Sequence, residues 1–358
     1  MVALPLHRDT PALRDRSARA ALTLRGLVLL LIAVSVLSLG TGAAGLSLGT
    51  MARDLLSGEG LSPRDRVILL DIRLPRLAMG LLIGAALAMS GALMQGLFRN
   101  PLADPGIVGV GAGAGLGAVL AIVLGGMLPA GLAALVGAHL VPVAAFLGGW
   151  ASTLLLYRVA TRGGQTSVAT MLLAGIALGA LAGALTGILV YLADDTQLRD
   201  LTFWNMGSLA GASWAKLAAS LPLILPVLLL APLLGRGLNA LALGEAQAAH
   251  LGIRVETVKR LAILAVAAAA GAAVAVAGGI GFVGIVVPHL LRLATGPDHR
   301  YLLPNAALLG ASLLVGADMI ARVIVSPAEL PIGIITATIG APVFLWILLK
   351  RRGLGGGL

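Results

Sequence analysis

Residues 168–193 read VATMLLAGIALGALAGALTGILVYLA, and no charged side chain interrupts them. A helix needs about 20 such residues to cross the hydrocarbon core of a bilayer. This stretch is long enough, and its neighbours repeat the pattern. Working outward, apolar stretches recur around 77–98, 106–128, 131–157, 217–234, 261–278, 280–295, 302–325 and 332–349, after a first run at 27–39. The spacing predicts an all-α integral membrane protein of about ten transmembrane helices. The stretch at 280–295 is short and could be a half-helix, which leaves nine spans as the competing count.

Composition agrees. Of 358 residues, 59% are hydrophobic and 11% charged, against roughly 25% charged in a soluble domain. Too little polar surface exists to cover a globule in water, so a soluble enzyme, a nucleic-acid-binding domain and a disordered chain are excluded. The 49 glycines suit membrane helices, which pack closely through small residues. With no cysteine, the chain has no disulfide, thiolate metal site or cysteine nucleophile.

Charge sets the topology. With the N-terminus inside and ten alternating spans, the inner side carries 17 of the 25 basic residues and nets +11, while the outer side nets −1. That is the positive-inside bias. Nine spans would put Lys350, Arg351 and Arg352 outside. The overall charge of +10 therefore reflects membrane orientation rather than a nucleic-acid partner. On this reading residues 1–358 form one membrane domain with both termini inside. Residues 1–25 are an inner tail, 41–72 an outer loop with a surface helix possible at Leu48–Leu56, and 235–260 an inner loop with a helix beginning near Gly244.

An internal repeat is also legible. Residues 84–91 read GAALAMSG and residues 271–278 read GAAVAVAG, and the same offset carries Pro101 onto Pro288. Chance matching of Ala/Gly-rich helices is the alternative. Duplication predicts an inverted repeat of spans 2–5 and 7–10, an arrangement that transporters use for alternating access.

Catalytic signatures are missing. No Gly-x4-Gly-Lys-Ser/Thr loop and no His-Glu-x-x-His occur. The glycines of 109–117 read as close helix packing. Asp318 is the one acid clearly inside a span, and Arg322 lies one helical turn later, so the two should pair. Neither a catalytic cluster for a membrane enzyme nor a chain of titratable groups for a proton-coupled carrier is present.

The ordered motifs Arg73-Leu74-Pro75-Arg76, Asn100-Pro101-Leu102-Ala103-Asp104-Pro105-Gly106, Leu243-Gly244-Glu245, Gly281-Phe282-Val283-Gly284, Pro288-His289, Asp298-His299-Arg300 and Glu329-Leu330-Pro331-Ile332-Gly333 resemble the permeases of bacterial ABC importers for iron-siderophores, haem and vitamin B12. The likeness runs from about 65 to 350. It implies a type II importer permease: a homodimer around a central path in the bacterial inner membrane, two separate ATPase subunits that bind ATP inside, and a periplasmic binding protein outside. No catalytic residue, metal site or permanently bound cofactor is implied.

The resemblance also assigns residues. Arg73, Arg76 and Arg322 match positions that pair with acids of the binding protein, and guanidinium forks suit that task. Interfacial snorkelling is the alternative for the first two, and pairing with Asp318 for the third. Leu243, Gly244, Glu245, Ala246, Gln247, Leu251 and Gly252 match the coupling loop that meets the ATPase. Asn100 and Leu102 match one gate, and Thr166 and Ser167 the other, although Asn100, Thr166 and Ser167 could equally cap helices. The segments 165–175 and 191–209 look most like the haem branch, which makes Met171 and Arg199 candidate cargo contacts. Packing for Met171 and an acidic neighbour for Arg199 are the alternatives.

Overall fold

The computed structural model describes residues 16–42 and 61–354, with Gly49, Arg53 and Ser57 between them. Most of Leu48–Leu56 and the first 15 residues lie outside the described residues. In chain order the helices are α1 (Arg16–Gly40), α2 (Pro63–Leu97), α3 (Val110–Leu124), α4 (Ala130–Val136), α5 (Leu140–Ala160), α6 (Val168–Leu192), α7 (Asp195–Met206), α8 (Trp214–Leu230), α9 (Gly235–Ala242), α10 (Glu245–His250), α11 (Val255–Ala277), α12 (Val283–Thr295), α13 (His299–Val323) and α14 (Ile332–Leu354). Among the described residues eight segments are long and apolar enough to cross a membrane, and the shorter apolar helices Val283–Thr295 and Ile332–Trp346 complete ten.

The second span starts earlier than its hydropathy suggests. Ser62 accepts the Asp65 amide at 3.1 Å and Pro63 opens the helix, a strong start signal. Helical backbone then continues through a π segment at Ile68–Arg73 into Leu74–Leu97. Asp65, Arg66 and Asp71 made this stretch read as loop, whereas it is a charged extension of a helix.

Along Leu74–Leu97, α2 is buried over most of its surface and forms the spine of the bundle, packed by α13, α11 and α12. Its glycines allow that. A Cβ on Gly91 would stand 1.8 Å from the Gly284 carbonyl oxygen, and one on Gly84 would stand 2.4 Å from that of Gly310. Backbones touch there, so dispersion contact between helices is maximal. The second glycine frame is used differently. Gly271 meets only Phe146 and Val110 side chains at ordinary distance, and Gly278 ends α11 with φ +73°. Pro101 lies in the turn after α2, while Pro288 lies inside α12.

Two stretches interrupt the helices at depth. After α2 the chain doubles back: Pro105 and the Leu87 carbonyl both lie against Gly284. Leu87 is about 15 Å up the helix from Leu97 at the usual rise. This return explains why α3 begins at Val110 rather than near residue 106. Likewise α12 has 13 residues, or about 20 Å of helix, too little to cross a core of about 30 Å. Its missing length is the irregular segment Gly278–Phe282, where Phe282 takes φ +67°.

Finally, a hairpin joins α5 to α6. Strands β1 (Thr161–Arg162) and β2 (Gln165–Thr166) pair antiparallel across Gly163-Gly164, both with positive φ. A two-residue turn of this kind needs glycine-like backbone.

Candidate functional site

Three stations follow the long direction of the bundle. The middle one is a cavity of about 350 Å³ lined by Leu87, Asp104, Val110, Asn205, Ala270 and Gly281, among others. Both interrupted stretches face it. Irregular backbone at membrane depth is tolerated where it is buried in protein or lines a cavity, and the cavity supplies that condition. The end of α7 is stitched to the same place. The Trp204 carbonyl accepts the Gly279 amide at 3.2 Å, the Ala277 carbonyl accepts the Ser208 amide at 2.8 Å, and the Gly207 carbonyl accepts the Ile332 amide at 3.0 Å.

At one end lies an arginine cluster. Arg76 donates through Nε and Nη2 to Asp318, with contacts of 2.8–3.1 Å, and through Nη1 to both oxygens of Glu329 at 2.9 Å. The expected Asp318–Arg322 pair is present at 3.1 Å. Arg322 also donates to the Thr41 carbonyl at 2.9 Å and the Ser38 hydroxyl at 2.8 Å, and Arg73 donates to the Leu39 carbonyl. Thus two arginines from other helices close the C-terminal carbonyls of α1, where cations are favoured. All three arginines are buried. Among the described residues three cations face two anions, and Arg73 is the one without an acid. Its Nη2 is buried with no hydrogen-bond partner.

At the other end, α10 is a single turn and a half between two glycines. Gly244 has φ +117° and Gly252 φ +79°, conformations that glycine adopts without steric cost. Leu243 and Leu251 bracket the turn and are 65% and 63% exposed. Ala246 and Gln247 are exposed with them, and Ala248 faces inward. Beneath it sits Lys259, only 2% exposed. Its ammonium donates to Glu245 at 2.6 Å, to Glu256 at 3.0 Å and to the Thr166 carbonyl at 2.8 Å. Glu256 in turn accepts the Thr166 amide at 2.9 Å.

The residues matched to gates divide. Ser167 caps α6, accepting the Thr170 amide at 3.2 Å. Asn100 accepts the Leu102 amide at 3.0 Å and shapes the turn after α2. Thr166 is buried, and Thr161 bonds its hydroxyl at 3.0 Å across the hairpin. No hydrogen bond joins Asn100 or Leu102 to Thr166 or Ser167 among the described residues. Met171, a candidate cargo contact with packing as its alternative, has no exposed surface and packs in the main core, because its face of α6 turns inward. Arg199 is exposed on α7 and forms no ion pair among the described residues, so its acidic neighbours do not hold it.

Two groups escaped the sequence reading. Lys259 was counted only as an inner charge. Asn239 was not singled out, yet its Nδ2 donates to Asp298 at 2.7 Å and its Oδ1 accepts the His299 amide at 2.9 Å. Asp298 caps α13. Hydrogen bonds from Arg300, then from Asn239, outweigh partial burial and hold its pKa down to about 2.

Comparison with known proteins gives a consistent result. The FecCD transport family matches residues 30–350. The hemin transport system permease protein HmuU of Yersinia pestis is 46% identical over 325 residues, covering 90% of this chain and 95% of that protein. The vitamin B12 import system permease protein BtuC of Klebsiella pneumoniae is 45% identical over 334 residues, covering 92% and 94%. A solved structure described as an inward-facing conformation of a metal-chelate type ABC transporter aligns with TM-score 0.80 and 34% identity, over 91% of this chain and 98% of that one.

Proposed function

The chain belongs to the FecCD transport family and is a multi-pass permease of an ABC importer, and from that premise we propose that it carries haem from periplasm to cytoplasm through the interface of a homodimer in the bacterial inner membrane. Both termini face the cytoplasm, as the positive-inside bias requires. The single observation that carries the energy coupling is the pair Leu243 and Leu251. They are large apolar side chains exposed on an inner loop, where a lipid tail cannot cover them. Two exposed leucines flanking one short helix suit a protein contact, and the contact here is with a separate ATPase that binds the ATP.

Outside, the cation at Arg73, in excess among the described residues, attracts an acidic binding protein. Arg76 and Arg322 spend their charge on Asp318, so they shape the docking surface while Arg73 supplies most of its net charge. Arg199, exposed on α7, is the side chain that meets anionic groups of the cargo. Met171 contributes packing. Asn100, Leu102, Thr166 and Ser167 belong to the inner constrictions.

Haem is favoured by the likeness of 165–175 and 191–209 to the haem branch and by the similarity to HmuU. The similarity to BtuC keeps vitamin B12 as the second reading. The deciding experiment reconstitutes the chain with its ATPase and binding protein in liposomes and compares ATP-dependent uptake of haem, cobalamin and a ferric siderophore. Haem uptake that requires both partners is expected. Uptake of cobalamin alone would discard the haem assignment and keep the architecture.

A further inference from the structure

The inner ion cluster joins two pieces of chain that the sequence keeps far apart. Glu245 is the first residue of α10, on the loop that faces the ATPase. Thr166 ends the hairpin and directly precedes the cap of α6. Lys259, on the first turns of α11, holds both at once, at 2.6 Å and 2.8 Å. An ammonium has three donors, and here each has one acceptor: Glu245, Glu256 and the Thr166 carbonyl. Glu256 completes the clamp by accepting the Thr166 amide. Both backbone polar groups of Thr166 are therefore held by α11, and the clamp is complete only while Glu245 is in place.

We propose that Lys259 is the link by which displacement of α10 reaches the hairpin and the inner end of α6. This rests on the reading of 243–252 as the ATPase contact. Three features make the cluster switchable rather than merely stabilising. First, the carboxylates of Glu245 and Glu256 are 43% and 35% exposed, while Lys259 is buried. An exposed carboxylate can exchange its partner for water at small cost. Second, α10 is bounded by Gly244 and Gly252, whose left-handed conformations let a short helix move as a unit. Third, the hairpin has only two residues in each strand, and Thr166 is its one buried residue. When α10 is drawn toward the ATPase, Glu245 leaves, Lys259 turns toward Glu256, and the Thr166 carbonyl is released. The hairpin and the first turn of α6 then shift together.

The test uses the whole complex with its ATPase in lipid nanodiscs and liposomes. The chain lacks cysteine, so Gln165→Cys places one spin label on each hairpin of the dimer. The label-to-label distance is read with and without a trapped ATP analogue, beside ATP hydrolysis and cargo uptake. In the otherwise unaltered chain the distance changes with nucleotide. Lys259→Met is expected to keep ATP hydrolysis, to show the same distance in both nucleotide states, and to lower uptake per ATP by about tenfold, within the range of ordinary coupling energies. A distance change and uptake per ATP equal to the parent's would overturn the link. Should Lys259→Met fail to fold, Glu245→Gln alters a half-exposed acid and decides the matter in complexes that retain the ATPase: a hairpin distance that no longer changes with nucleotide supports the link, and a parental distance change removes it. Failure of the parent chain itself to bind the ATPase would instead overturn the coupling-loop reading beneath it.

Discussion

The two charged clusters at opposite ends of the bundle both pair basic with acidic side chains and behave as opposites. In the arginine cluster, the shared acid Asp318 is 5% exposed, and its partners Arg76 and Arg322 are buried with it. Separating them would strand a charge in a low-dielectric interior, which is costly. In the lysine cluster the cation is buried and the acids are half in water. Parting Glu245 from Lys259 leaves one solvated carboxylate and an ammonium that still has Glu256. The first arrangement is a rivet joining α1, α2 and α13. The second is a clasp. The burial of the one acid that two arginines share, rather than the number of ion pairs, separates a fixed end from a movable one.

The largest effect should come from attacking the rivet. Arg76→Met leaves Asp318 with Arg322 alone and is expected to cost about 3–5 kcal/mol, read as a lower thermal midpoint in detergent. Arg76→Lys should recover only part, because an ammonium cannot reproduce the fork that reaches Asp318 and Glu329 together. Next comes the clasp. Lys259→Met should cost about 1–3 kcal/mol in the same melt, less than Arg76→Met. A larger loss at Lys259 than at Arg76 would reverse the comparison.

A smaller and different effect is expected at Arg73. Arg73→Gln removes one hydrogen bond to the Leu39 carbonyl, worth about 1 kcal/mol. Its main consequence should be slower binding-protein association at low salt, with a weaker salt dependence; equal on-rates for both chains would remove Arg73 from docking. The smallest effect belongs to Asp298, whose side chain is 31% exposed beside a more exposed Arg300. Its folded pKa of about 2 lies below an unfolded value of about 3.9. The stabilisation it provides is present above about pH 4 and fades as pH falls toward 2. Melts of Asp298→Asn and the parent should differ slightly at pH 7 and converge near pH 2.

Much of this was legible in the sequence because the membrane imposes a simple rule. Apolar stretches of sufficient length located the spans, and the one intramembrane acid announced its partner Arg322 one turn away. Helix periodicity cannot reveal that Arg76 completes the same site, since Asp318 lies 242 residues further along. Hydropathy also misjudged where helices begin. It began the second span only at residue 77 because Asp71, Arg73 and Arg76 are charged, and it began the third at 106 because the returning segment is apolar although not α-helical. Gly163-Gly164 was a turn signal open to reading. Lys259 was not, because its role depends on Thr166 arriving from another element.

The account stands most directly on the exposed leucines of the inner loop. The decisive measurement is co-purification of the ATPase with the chain carrying Leu243→Asp and Leu251→Asp, neither of which supports the core. The prediction is loss of the ATPase from a permease that still melts like its parent. Retention of the ATPase at parental stoichiometry would contradict the assignment of this loop as the place where ATP hydrolysis enters the membrane.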